Sequence, residues 1–293
     1  MKTVVLALVL ALIPAFGQGT PARAEDRIAV VAAENFYGDI AKQIGGERVA
    51  VTSIMNNPDQ DPHLFETTPA IVRQLAGAQI AILNGANYDP WMDKLLAAAP
   101  RAGRIVISAA QLTGRKPGDN PHLWYDPATM PAVATALAEA LSKADSAHAS
   151  DYAGRLKTTL AALDRISQRV TQLKAKHAGA VVTATEPVFG PMAQALGLAM
   201  RNERFQLAMM NDTEPSARDV AAFEKDLRER KVKVLIYNSQ VSEKLTERLR
   251  DIAGKSRVPV IGVTETMPPN VSFQDWVLGE LDALDKALSG PNS

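Results

Sequence analysis

The chain is 293 residues long, with 32 basic and 32 acidic side chains, four histidines and no cysteine. That length suffices for two ordinary domains, and without cysteine the fold must rest on its core rather than on disulfides. A balanced charge with no run of five like charges argues against nucleic acid and an anionic membrane surface as main partners.

Residues 1–24 are expected to form a signal peptide. Lys2 precedes the apolar run "VVLALVLALIPAFG", and Ala22-Arg23-Ala24 supplies a small-x-small cleavage pattern. A membrane anchor needs about 18 to 20 apolar residues, whereas Pro14 and Gly17 interrupt this run. Cleavage after Ala24 removes Lys2 and Arg23 and no acid, leaving 30 basic against 32 acidic residues, a net charge of −2. No later apolar stretch is long enough to cross a bilayer, and no cysteine is available for a lipid at the cleavage site. The expectation is a mature protein without a membrane span, freely diffusing in the periplasm and not lipid-anchored.

The first half then alternates. "RIAVVAAE" (27–34), "RVAVTSIM" (48–55), "QIAILNG" (79–85) and "RIVISAA" (104–110) are Val- and Ile-rich runs that read as buried parallel strands. Between them "NFYGDIAKQIGG", "TPAIVRQLAGA" (opened by Thr68 with Pro69 next) and "DPWMDKLLAAAP" read as helices. This order calls for βαβ units with right-handed crossovers, within a lobe at 25–145. A helix follows from Asp126. The segment 146–177 then carries apolar residues at Tyr152, Leu156, Leu160, Leu163, Ile166, Val170 and Leu173, one helical stripe read as a rigid connector. The rest, 178–293, repeats the scheme with strands 180–186, 232–240 and 258–265 and helices "PVFGPMAQALG", "SARDVAAFEKDLRERK", "SEKLTERLRDIAGKS" and "FQDWVLGELDALDKALS". Ser216 and Asp219 resemble a capping box. The fold class is therefore α/β: two parallel-sheet lobes joined by a long helix.

In open parallel α/β sheets ligands bind beyond the carboxyl ends of the strands. Four residues in such positions stand out. His63 follows strand 48–55 and His122 follows strand 104–110, while Glu186 and Glu265 end strands 180–186 and 258–265. Two imidazoles from one lobe and two carboxylates from the other suit a divalent metal in type and number, because the carboxylates cancel the ion's charge. The two histidines sit in near-copies of one pentapeptide, "DPHLF" (61–65) and "NPHLW" (120–124). Proline fixes the backbone before each ring, Asp or Asn favours a turn, and the Leu and aromatic that follow can pin the turn to the core. Asp61, Glu66 and Asp126 flank these turns as candidates to orient the rings. His148 and His177, at the ends of the connector, read as solvated helix-end residues, and Glu214 as an acid favoured at a helix start. Motifs of hydrolases and of phosphate-binding loops are missing: "GKS" at 254–256 has Leu249 where a P-loop needs Gly.

The stretch "DPHLFETTPAIVRQLAGAQIAILNGANYDPW" resembles the N-terminal half of the metal-specific solute-binding proteins of ABC importers, the zinc and manganese type. "NPHLWYDP", "TEPVFGPMAQALGL" and "VPVIGVTETMPP" resemble the segments carrying that family's remaining ligands, and the likeness runs from about Ile28 to Leu288. The resemblance implies two (β/α)4-like lobes bridged by a stiff helix, with one Mn2+ or Zn2+ ion as cargo between them. It implies delivery to a membrane permease served by a separate ATPase, by a protein expected to be a monomer. His63 and His122 match the first two ligand positions, Glu186 the third, and Glu265 a fourth that is usually Asp, so that Glu265 or a water completes the set. Zinc-type members often carry His at the third position and a histidine-rich loop, and both are missing here. Two nitrogens with carboxylate oxygens lean toward manganese, although zinc binds most such sites more tightly. The reading of another class is a secreted α/β metallohydrolase with Glu265 as general base, and a third is an adhesin or metal buffer using the same site. In the transport reading, release of the ion calls for lobe or loop movement that withdraws Glu186 and Glu265.

Overall fold

A computed structural model of the chain describes residues 27–57, 65, 67–241 and 243–290. The predicted signal peptide and the residues Asp61, His63 and Glu66 lie outside the described residues.

Two four-stranded parallel sheets form the frame. The first contains β1 (Ile28–Glu34), β2 (Val49–Met55), β3 (Ile80–Leu83) and β4 (Ile105–Ser108) in the order β2-β1-β3-β4. The second contains β5 (Val181–Ala184), β6 (Ala199–Arg201), β7 (Leu235–Asn238) and β8 (Val260–Val263) in the order β6-β5-β7-β8. The two orders correspond strand for strand, so the lobes repeat one topology. β1 and β3 read as unbroken apolar runs because helices cover both their faces; Val30, Ala32, Ile80 and Ile82 face one core, and Val31, Ala33 and Ala81 another.

In the first lobe lie α1 (Asn35–Gly45), α2 (Pro69–Gly77), α3 (Pro90–Ala98), α4 (Ala109–Leu112) and α5 (Thr129–Ala144). Thr68 caps α2 as predicted, its side chain accepting from Ile71 N at 3.4 Å. The fourth strand is shorter than expected: Ser108 accepts from Gln111 N at 3.4 Å and turns the chain into α4, which ends β4 early.

The connector α6 (Ala149–His177) has 29 residues, about 43 Å at 1.5 Å per residue. Its buried stripe holds Tyr152, Leu163, Ile166, Val170 and Leu173, but the buried residue of its middle turn is Thr159, with Leu156 and Leu160 half-buried beside it. His148 and His177 are not merely solvated. His148 pairs with Asp145 at 2.8 Å, and His177 Nε2 lies 2.8 Å from Asp285 Oδ1.

The second lobe adds α7 (Gly190–Ala195), α8 (Glu203–Met210), α9 (Ala217–Arg228), α10 (Lys244–Lys255) and α11 (Phe273–Leu288). The helix predicted from Pro187 splits into a 3-10 turn, Pro187–Phe189, and α7, with a proline near the start of each piece. Two elements of this lobe went unpredicted, β6 and α8. β6 is a three-residue edge strand with no buried residue, and α8 starts from Asn202 in the left-handed region without a side-chain cap. At α9, Ser216 Oγ accepts from Asp219 N at 3.1 Å and donates to Asp219 Oδ2 at 2.7 Å, so the shorter acid bonds the hydroxyl instead of reaching the backbone. Ser272 and Asp275 repeat this arrangement at α11.

One continuous hydrophobic cluster spans both lobes and the connector, from Val30 and Phe36 through Trp124 and Leu163 to Val263 and Trp276. Polar links join the lobes as well: Asn35 bonds Met267 through both its amide atoms, at 2.7 and 3.0 Å, and Asp39 accepts from Phe273 N at 3.0 Å. Asp285 fastens α11 to the connector by accepting from Lys176 at 2.7 Å and Arg169 at 2.9 Å besides its contact with His177. Lys176, then His177 and Arg169, hold its carboxyl well below the ordinary carboxylate range. A carboxyl depressed in the folded state stabilises fully above its unfolded pKa, and that stability is lost as pH falls through the folded value. Asp285→Asn is therefore expected to cost ~2 kcal/mol at neutral pH and roughly 4–8 °C in Tm, with the difference from wild type vanishing in acid; melting curves across pH check this. No helix among the described residues is long and apolar enough to cross a membrane.

Candidate metal centre

Residues beyond the carboxyl ends of the two sheets meet between the lobes, His122 with Glu265 and Asn120 with Pro187, and the second histidine turn supplies the first lobe's side of these contacts. Leu123, Trp124 and Tyr125, in a 3-10 turn directly after His122, are buried. Trp124 stacks on Phe36 at 4.8 Å between ring centroids. The turn is thus anchored by the residues that follow the histidine, as the repeated pentapeptide suggested. At the first pentapeptide only Phe65 is described, and its ring packs against Trp91 at 4.4 Å.

The ring of His122 is oriented by Asn120. Asn120 Oδ1 accepts from His122 N at 3.0 Å and lies 2.8 Å from His122 Nδ1. Because the backbone N–H fixes this atom as the acceptor oxygen, Nδ1 carries a proton, and the neutral ring has its lone pair on Nε2. Asn120 Nδ2 in turn donates to the Pro187 carbonyl at 2.8 Å, across the cleft. Gly190 lies beneath this bond: a Cβ there would stand 2.6 Å from Asn120 Nδ2 and would push the amide aside. Asp126, the described candidate for orienting the ring, does something else. It pairs with Arg115 at 3.1 Å and accepts from Ala128 N at 3.1 Å, capping the turn before α5.

His122 Nε2 faces Glu265 Oε2 at 3.4 Å, and both side chains are at most 1% exposed. That separation is long for a hydrogen bond. Two ligands each ~2.0–2.2 Å from one ion at a tetrahedral angle stand about 3.4 Å apart. Glu186, also buried, is tied to Glu265 by Asn238: its Nδ2 donates to Glu186 Oε2 at 2.9 Å and to Glu265 Oε1 at 2.6 Å. Glu186, Asn238 and Glu265 stand at or just beyond the carboxyl ends of β5, β7 and β8, so three strands of one sheet aim polar groups into the cleft. Gln240 holds the backbone behind Glu265, its Oε1 accepting from Glu265 N and from Thr266 N. Among the described residues no group of three or more His, Cys, Asp or Glu side chains is arranged to hold an ion. The described residues supply the pair His122 and Glu265, with Glu186 joined to it through Asn238.

Buried acids and phenols surround this pair. The Tyr88 ring meets His122 edge-on at 5.9 Å, and its buried hydroxyl is pushed well above its ordinary pKa by burial first, then by the charges of Glu265 and Glu34. Glu34, at the end of β1, is buried with both carboxyl oxygens lacking a hydrogen-bond partner; burial, then the neighbouring Asp89, drives its pKa well up. Asp89 itself is raised to about 6 by burial, although it accepts from Asn84 N and Gly85 N at 2.7 Å each. Sequence reasoning missed Asn120, Tyr88, Asn238 and Gln240. The signal for the last two was present in "YNSQ", which ends a strand just as the segments with Glu186 and Glu265 do.

Residues 30–287 match the family model described as the periplasmic component A of the zinc-uptake complex, ZnuA. The chain belongs to this family. Among its relatives are a putative metal-binding protein of Treponema pallidum, 24% identical over 97% of this chain and 95% of that one, and the manganese-binding lipoprotein MntA of Bacillus subtilis, 27% identical over 75% and 74%. The fold is that of the periplasmic zinc-binding protein TroA of Treponema pallidum, with a TM-score of 0.75 at 21% identity, covering 89% of this chain and 99% of that one. Two parallel-sheet lobes and a long connecting helix are thus the family's architecture as well as this chain's.

Proposed function

We propose that the protein captures one Mn2+ or Zn2+ ion between its lobes and hands it to the membrane permease of an ABC importer driven by a separate ATPase. His63, His122, Glu186 and Glu265 are its ligands in this reading, with two carboxylates offsetting the charge of the ion. The observation that carries it is the approach of His122 Nε2 to Glu265 Oε2, 3.4 Å apart and buried between the lobes. The family supports the cargo, since its relatives include a manganese-binding and a zinc-binding protein by name. The mature protein works as a monomer in the periplasm, released by cleavage after Ala24 and without a lipid, and performs no covalent chemistry. Glu265, the residue a hydrolase would need as a free base, is engaged by Asn238 and faces His122.

Calorimetric titration of chelator-stripped mature protein with Mn2+ and, separately, with Zn2+ tests this. One-to-one binding that strengthens from pH 5 to pH 7 is expected, because an imidazole must be deprotonated to ligate. Absence of binding for both ions would overturn the proposal, and unchanged affinity in His63→Ala would remove His63 from the ligand set.

A further inference from the structure

The peptide group joining Thr264 to Glu265 is gripped from both lobes. Gln240 Oε1 accepts from its N–H, and Tyr125 Oη, from the turn after His122, lies 2.8 Å from its carbonyl oxygen. Tyr125 Oη is also 3.0 Å from Glu280 Oε1 on α11. A phenol has one proton to give, and a carbonyl can only accept. With the phenol donating to Thr264, the contact with Glu280 is a hydrogen bond only if Glu280 is the donor. Its Oε1 also accepts from Trp276 Nε1 at 3.0 Å, which a carboxylic hydroxyl tolerates while donating. One further feature favours a protonated Glu280. Its Oε2 is buried with no hydrogen-bond partner, a position costly for an ionised oxygen and far less so for a neutral one.

We infer that Glu280 is a positioning residue for Glu265, carried as a neutral acid that donates to Tyr125 Oη and so keeps the phenol proton on the Thr264 carbonyl. Burial, the largest influence on this carboxyl, pushes it up to about 8. Charged groups on the elements around it are otherwise engaged. Arg169 and Lys176 of the connector are held by Asp282 and Asp285, and Asp39 of α1 accepts from Phe273 N and Gln43. Tyr125 and, beyond it, Glu265 are the titratable groups that face Glu280. When Glu280 ionises, the phenol proton turns to the carboxylate and the carbonyl before Glu265 loses its clamp. The inference rests on the reading of Glu265 as a ligand.

Carbon-13 NMR of the Glu side-chain carboxyls in the metal-free protein, with the Glu280 signal assigned by its loss in Glu280→Gln, reads the protonation directly. A midpoint near 8 is expected; a midpoint in the ordinary carboxylate range overturns the proposal. Mn2+ affinity is then measured for both proteins at pH 7 and pH 9. Glutamine keeps the shape and cannot ionise, so the wild-type affinity relative to Glu280→Gln should fall about tenfold over that interval. In the Tyr125→Phe background the same comparison should show no fall. A constant ratio in the Tyr125-containing protein, with Glu280 titrating, would show an acid that does not act on the site. If Glu265→Gln binds Mn2+ like wild type, the ligand reading fails and the link to Glu265 with it, while the carboxyl titration still reports on Glu280.

Discussion

His122→Ala is expected to weaken Mn2+ and Zn2+ binding by well over a hundredfold while leaving a folded metal-free protein. Loss of a partner that merely orients a ligand costs ~10–100-fold in affinity, and His122 is itself the ligand in this reading. The imidazole is also the one nitrogen donor among the described candidates, facing the carboxylate of Glu265 at 3.4 Å. Its neighbours do not depend on it for their place: Leu123, Trp124 and Tyr125 are buried on their own account, and Asn120 stays bonded to Pro187 and to the His122 backbone. Circular-dichroism melting of the metal-free variant separates the outcomes, since an unfolded variant would say nothing about ligation. Asn120→Ala provides the graded control. It keeps the imidazole but frees the ring and its tautomer, so a loss of ~10–100-fold is expected. Equal affinity of His122→Ala and wild type would place the ion elsewhere.

The parts of this molecule that were legible in its sequence are those where burial dictates residue type. The two central strands of the first sheet are covered on both faces, so β1 and β3 announce themselves as Val, Ile and Ala runs. The connector shows a 3.6-residue period because one face alone meets the core, although Thr159 enters that face where an aliphatic residue was expected. β6 offered no such pattern, for an edge strand of three residues with none buried carries almost no apolar signal. The site divides in the same way. His122, Glu186 and Glu265, the proposed ligands among the described residues, were singled out because ligands belong beyond strand ends and because the charge balance of a dication asks for carboxylates. The groups that hold them were not, since the search favoured charged partners. The ring of His122 takes its orientation from the neutral amide of Asn120, two residues upstream, while Asp126 serves Arg115 and the turn before α5. An amide accepts from the ring and donates to Pro187 at once, which a carboxylate cannot do.

Asn238 carries the second large effect. Its amide group donates to Glu186 at 2.9 Å and to Glu265 at 2.6 Å, one hydrogen to each of two buried carboxyls. In the metal-free protein these bonds offset repulsion between two acids that have left water; in the proposed loaded form the ion would do most of that. Asn238→Ala should therefore destabilise the metal-free form far more than the loaded form. Hydrogen bonds to charged groups are worth ~1.5–3 kcal/mol each, so about 3–6 kcal/mol is at stake before the carboxyls adjust by taking up protons. At ~2–4 °C per kcal/mol for a chain of this size, the metal-free Tm should fall by roughly 6 °C or more. Saturating Mn2+ should recover most of the loss, so the rise in Tm on adding metal becomes larger in the variant than in wild type. Paired calorimetric melts with and without the ion test this. An equal fall in both forms would make Asn238 a packing residue with no part in holding the two acids apart for the ion.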